Sequence, residues 1–135
     1  MLYLLDTCIC VAYLRKGEAA KRVEGKILQH AFTEIKIPSI VVAELLHGVY
    51  KSRKRDENLR EVEQFISYFD VISFDTADAY TYGQIRSSLE RKGLIIGDND
   101  MLIAASALLR NATLVTNNTR EFSRIDGLLL DDWTL

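Results

Sequence analysis

Short strand-like runs set apart by long helical stretches constrain this chain most. Tyr3-Leu4-Leu5, Ile35-Lys36-Ile37-Pro38, Val71-Ile72-Ser73-Phe74 and Thr113-Leu114-Val115-Thr116 each read as a brief strand, and Leu128-Leu129-Leu130 reads as a fifth. The stretches between the first four have helical periodicity. A helix is expected through Ile9-Cys10-Val11-Ala12-Tyr13-Leu14, and an exposed one over Glu18 to Gln29. Ser39 is placed to cap a helix to about Lys54, and Asp56 to cap the next, through Phe65 and Ser67. Asp75 caps a long helix to about Lys92, with Asp78 complementing its positive end, and Gly97 precedes a helix from about Asn99 to Leu109. Short apolar strands alternating with helices imply an α/β fold with a mostly parallel sheet. No linker, repeat or low-complexity stretch divides residues 1–135, so a single domain is expected.

In such folds ligands sit beyond the carboxyl ends of the strands. Asp6 falls just after the first strand, and Asn117 to Glu121 just after the fourth. Glu44 lies in Ser39-Ile40-Val41-Val42-Ala43-Glu44-Leu45-Leu46, and Asp100 opens Asp100-Met101-Leu102-Ile103-Ala104-Ala105. A carboxylate wedged into apolar sequence is costly unless it is paired or binds a cation. Asp6, Glu44, Asp100 and Glu121 are therefore read as one shared site for a hard cation, Mg²⁺ or Mn²⁺.

Each of these residues also has a plain structural reading. Asp6 could simply cap a helix, Glu44 could face solvent, and Asp98-Asn99-Asp100 offers three caps at one helix start, of which Asp100 is favoured as ligand and Asp98 as cap or support. Thr7 could orient Asp6 or cap the helix after it. Asn117-Asn118 could be a turn, or Asn118 could position a water while Thr116 holds Asp6. Arg120 could pair with Glu121. Gly48, one turn beyond Glu44, suggests that something approaches the helix closely there. Lys51, Arg53, Lys54 and Arg55, extended by Arg86, Arg91 and Lys92, are either solvated helix ends or contacts for RNA phosphates.

Several classes are disfavoured. A balance of 17 basic against 19 acidic residues is not the basic signature of a typical nucleic-acid binder, although clustered site acids are offset by a cation. No apolar run approaches the roughly 18–20 residues of a membrane span. Cys8 and Cys10 match no zinc or redox spacing and read as small buried side chains, consistent with a reducing cytoplasm. His30 and His47 are too isolated for zinc, and no nucleophile elbow or phosphate loop is present.

The segments Leu4-Leu5-Asp6-Thr7-Cys8-Ile9-Cys10, Ser39 to Gly48, Gly83-Gln84-Ile85-Arg86, Ile96 to Ala105 and Val115 to Phe122 together resemble a PIN domain, and closely the VapC branch of toxin–antitoxin ribonucleases. That resemblance implies a three-layer sandwich, with a short mostly parallel central sheet flanked by helices. It implies an Mg²⁺- or Mn²⁺-dependent endoribonuclease in which an activated water hydrolyses the phosphodiester, leaving a 5′-phosphate. The ligand roles carry over to Asp6, Asp100 and Glu44. Many members have an aspartate shortly after the fourth strand, where this chain offers Asn118 or Glu121, and the form Asn-Asn-Thr-Arg-Glu-Phe favours Glu121. Cys8 stands where members often have Asn, which argues against a polar role there. The resemblance also implies a homodimer, a VapB-type antitoxin whose C-terminal segment blocks the groove, and a structured RNA target such as transfer RNA. Competing readings are a non-catalytic RNA- or protein-binding module and a phosphotransfer domain with Asp6 as nucleophile. The second lacks the expected Asp-x-Asp, since position 8 is Cys.

Overall fold

The computed structural model describes residues 1–135. In chain order it contains β1 (Tyr3–Leu5), α1 (Thr7–Leu14), α2 (Glu18–Leu28), β2 (Ile35–Pro38), α3 (Ser39–Tyr50), α4 (Arg55–Ser67), β3 (Asp70–Ile72), α5 (Thr76–Lys92), α6 (Asp98–Leu109), β4 (Thr113–Val115), α7 (Thr119–Phe122) and β5 (Leu129–Asp131). The five strands form one sheet in the order β3-β2-β1-β4-β5, flanked by helices, and every pairing is parallel. The expected α/β architecture is present. Leu4 and Leu5 of β1 and all three residues of β4 are buried, as the centre of a two-faced parallel sheet requires. The edge strands β3 and β5 are largely exposed.

Several boundaries differ from the sequence reading. The helix from Ser39 ends at Tyr50 rather than Lys54. The Ser52 hydroxyl donates back to the Val49 carbonyl at 2.6 Å and accepts from the Asn58 amide at 3.0 Å, so the chain turns there without glycine or proline. Pro38, not Ser39, is the N-cap of α3, and Lys54, not Asp56, precedes α4. Asp56 and Glu57 instead lie in the first turn of α4, where acidic charge complements the helix dipole. The third strand stops at Ile72 because its last partner is Pro38, where β2 itself ends.

Asp78 does more than complement a helix end. It accepts from the Asp75 backbone N–H at 3.1 Å, but it is fully buried and also receives the Ser106 hydroxyl at 2.7 Å and the Arg110 guanidinium at 2.7 Å. Burial pushes its carboxyl up, yet the donors from Arg110, Ser106 and Asp75 outweigh that and hold it below the ordinary range. This ion pair locks α5 to α6, the helix whose first turn carries Asp100. Asp78→Ala leaves the Arg110 charge without its partner and is expected to lower stability by about 3 kcal/mol in a urea melt. The contribution is present above about pH 4 and fades as pH falls further. An unchanged midpoint would show that the lock carries no weight.

Candidate active site

The sheet order places the candidate site. From β1 the chain runs outward to β2 and β3, and then returns to β4 on β1's other side. The crevice between the carboxyl ends of β1 and β4 is the switch point where parallel α/β sheets bind ligands. Asp6 extends β1, its N–H donating to the Val115 carbonyl at 2.9 Å. Thr116 extends β4, donating to the Asp131 carbonyl at 2.9 Å. Asp6, Glu44 and Asp100 line one open hollow of about 450 Å³ there, together with Thr7, Cys8, Asn117 and Asn118.

Neutral donors hold three of the four carboxylates, Asp6, Glu44 and Glu121. Asp6 is 5 % exposed. Its Oδ1 accepts from the Thr7 N–H at 2.9 Å, and its Oδ2 from the Thr116 hydroxyl at 2.7 Å and the Cys8 thiol at 3.4 Å. Asp6 thus caps α1 and also faces the hollow, so the two readings of this residue coexist. With both oxygens engaged and little surface exposed, it is poorly placed to act as a nucleophile. Glu44 reaches in from α3 and is half-buried. Its Oε1 accepts from the Thr7 hydroxyl at 2.6 Å and its Oε2 from the Asn99 amide at 3.4 Å. Thr7 therefore serves Asp6 through its backbone and Glu44 through its side chain. Glu121 accepts from the Asn118 amide at 3.3 Å and makes no pair with Arg120. Asn118 in turn donates its N–H to the Thr116 hydroxyl at 3.0 Å.

No ion pair includes Asp6, Glu44, Asp100 or Glu121. The like charges act on one another. Asp100 is pushed up to about 6, first by partial burial and then by the charges of Asp6, Glu44 and Glu121. Burial likewise raises the Asp6 carboxyl, offset in part by its donors from Thr116, Thr7 and Cys8. Nowhere in the fold do three or more His, Cys, Asp or Glu side chains stand close enough to grip an ion as they are. The acids form an open ring that side-chain rotation would have to close. A site with uncompensated oxygen ligands and room to move fits a hard divalent cation, which takes up ligands of this class.

Three further residues shape the ring. A Cβ at Gly97 would come within 3.3 Å of Asp100 Oδ2, so glycine leaves room for that carboxylate. Asn99, which the sequence offered only as a cap, supports Glu44. Cys8 was read as apolar, yet its thiol also lies 3.5 Å from both the Thr116 hydroxyl and the Asn117 N–H. Burial and the neighbouring Asp6 charge push it up to about 11, so it stays a thiol at neutral pH.

Other expectations fall outside the hollow. A Cβ at Gly48 would meet nothing within 4 Å, so no close approach explains that glycine. Asp98 is exposed at the start of α6, with Gly97 as N-cap, and lies 3.7 Å from Arg86. Arg86 also binds the Tyr82 hydroxyl at 2.8 Å and Glu90 at 3.6 Å. Lys51, Arg53, Lys54 and Arg55 are exposed around the turn between α3 and α4, and none lines the hollow. The one basic side chain that does is Arg15, which the sequence reading passed over.

Residues 3–128 match the family model described as PIN domain. The chain belongs to the PIN-domain family. It is 46% identical over 133 residues to a Rickettsia felis protein named Ribonuclease VapC2, covering 98% of each chain. It is 39% identical over 132 residues to a Shigella flexneri protein named tRNA(fMet)-specific endonuclease VapC, again covering 98% of each. Among solved structures, this PIN domain superposes with a TM-score of 0.89 on a chain of VapBC2 from Rickettsia felis bound to a DNA fragment from its promoter. That match is 43% identical and covers 98% of this chain and 99% of the other. These relatives place the PIN domain in the VapC branch.

Partial burial of Asp100, with the like charges of Asp6, Glu44 and Glu121 around it, is expected to cost stability. Because the folded Asp100 holds its proton up to about pH 6, it costs stability progressively as pH rises from the unfolded value near 4 through 6. Asp100→Asn is therefore expected to stabilise the metal-free PIN domain at neutral pH by about 1 kcal/mol, a figure reduced for the solvent screening of a half-exposed group. The gain should vanish as pH falls towards 4. Equal stability of the two proteins at neutral pH would contradict this electrostatic picture.

Proposed function

We propose that this PIN domain is the endoribonuclease toxin of a VapBC-type toxin–antitoxin pair, cleaving RNA at the carboxylate ring through a bound divalent cation. The observation that carries the reading is the convergence of Asp6, Glu44 and Asp100 on one hollow, within electrostatic reach of Glu121, with no cation paired to any of them. Asp6, Glu44 and Asp100 would hold the ion, Mg²⁺ or Mn²⁺. When bound, it supplies positive charge to the phosphate and lowers the pKa of water for attack.

The chain's own residues set the geometry. Thr116 and the Thr7 N–H fix both oxygens of Asp6, and the Thr7 hydroxyl and Asn99 fix Glu44. Hydroxyl and amide donors orient the acids without cancelling their charge, which a lysine or arginine would do. The Asp100 carboxylate accepts no hydrogen bond and has Gly97 beside it, so it is free to turn towards ion or substrate. Glu121, held by Asn118, takes the fourth acidic position as an outer charge. The name of the Shigella relative makes transfer RNA the first substrate to test, and the VapBC structures support an antitoxin as partner.

Incubated with unfractionated transfer RNA and Mg²⁺ or Mn²⁺, the protein is expected to cleave it, and chelation should stop the reaction. Asp6→Asn, Glu44→Gln and Asp100→Asn should each reduce cleavage to background with folding retained. Thr116→Val, which removes the donor to Asp6 and the acceptor of the Asn118 N–H, should cost about 10–100-fold. Undiminished cleavage in the three acid variants would remove the ring from the chemistry, and tight binding without cleavage under any divalent ion would favour a non-catalytic module.

A further inference from the structure

We propose that Arg15 anchors the RNA, its guanidinium gripping a backbone phosphate that flanks the one to be cut. The proposal rests on the reading of the hollow as an RNA-cleaving site and names a residue that reading did not use. Asp6 caps α1 at one end and Arg15 caps it at the other. Thr7, Val11 and Arg15 recur at intervals of four residues, so they share a helix face about 12 Å long. All three line the carboxylate hollow. They also line an adjoining hollow of about 230 Å³ that runs between α1 and the α3–α4 pair. Arg15 stands where the two meet, so a strand leaving the carboxylates along α1 passes it.

Like Arg15, Lys51, Arg53, Lys54 and Arg55 are unpaired, but Arg15 alone among the basic residues lines the carboxylate hollow. Lys16 is engaged by Glu61 at 3.4 Å, and Arg86 by Glu90 and Asp98. The Arg15 side chain is exposed and makes no ion pair or hydrogen bond, although Glu44 lines both hollows with it. All five N–H donors are available for bidentate contact with a phosphate. Its root is fixed, because the Arg15 N–H donates to the Val11 carbonyl at 3.0 Å and the next residue, Lys16, has φ 57°. A ring of acids repels a polyanion, and a lone guanidinium at its rim is the one charge in the hollow that can hold the strand against that repulsion. A bland role also exists: a cation at a helix C-terminus complements the dipole. The two roles differ in what they move.

The test uses full-length protein carrying Asp100→Asn to disable cleavage, and unfractionated transfer RNA as probe. Adding Arg15→Ala should weaken binding about tenfold. It should also reduce the slope of log affinity against log salt by about 1, with the melting temperature unchanged. Arg15→Lys should restore the slope but only part of the affinity. In the cleavage-competent protein, Arg15→Ala should raise KM more than it lowers kcat. Equal affinity and equal salt slope with and without Arg15 would overturn the proposal. So would a fall in melting temperature with the slope unchanged, which is the signature of helix capping alone. If the wild-type protein failed to cleave RNA at all, the nuclease reading would fall, while the binding comparison would still decide whether Arg15 contacts phosphate.

Discussion

Carboxylates gathered at one sheet crevice with no basic partner are the constraint on which the rest of the site depends. Asp6, Glu44, Asp100 and Glu121 come from four separate elements and converge without any basic partner. Such an arrangement disfavours the fold on its own, and it persists because neutral groups hold it. Thr7, Thr116, Asn99, Asn118 and the Cys8 thiol all donate to the acids, and none of them carries charge. The one strong ion pair nearby, Asp78 with Arg110, is kept inside the α5–α6 interface, where it stiffens the helix bearing Asp100 and leaves the ring uncompensated. Charge is neutralised at the α5–α6 interface and left uncompensated at the acids.

The sheet turns this local arrangement into a site. A parallel sheet ordered 3-2-1-4-5 has one place where neighbouring strands lead away in opposite directions, between β1 and β4. Asp6 and Thr116 sit one residue past those strands and are tied to each other across the gap at 2.7 Å. Helices α3 and α6 then present Glu44 and Asp100 to the same opening. A single turn of α1 joins two of the acids, because Thr7 serves Asp6 with its backbone and Glu44 with its hydroxyl. The VapBC2 chain that superposes across nearly the whole length shares this architecture.

Much of this was legible in the sequence. Apolar runs bounded by helical periodicity located all five strands to within one or two residues, and the acids stood out because apolar neighbours make a free carboxylate expensive. What stayed hidden depends on contacts between distant segments. Ser106 and Arg110 look like ordinary residues of an alanine-rich helix until α5 brings Asp78 against them. Asn99 looks like a cap until α3 places Glu44 beside it. Cys8 reads as apolar by residue type, and only the position of Thr116 gives its thiol a polar setting. The end of α3 was missed because a serine hydroxyl bonding back to Val49, not a glycine or proline, makes the turn. The basic run Lys51 to Arg55 drew attention by its density, whereas the single Arg15 faces the hollow.

Calorimetric titration of Mn²⁺ into the metal-free protein at neutral pH tests the central claim most directly, with the Asp6→Asn, Asp100→Asn double variant as control. The account predicts saturable binding to the wild-type protein and none to the variant, the two having the same circular dichroism spectrum. Absence of saturable binding, or equal binding to both proteins, would contradict the claim that these uncompensated acids exist to hold a cation.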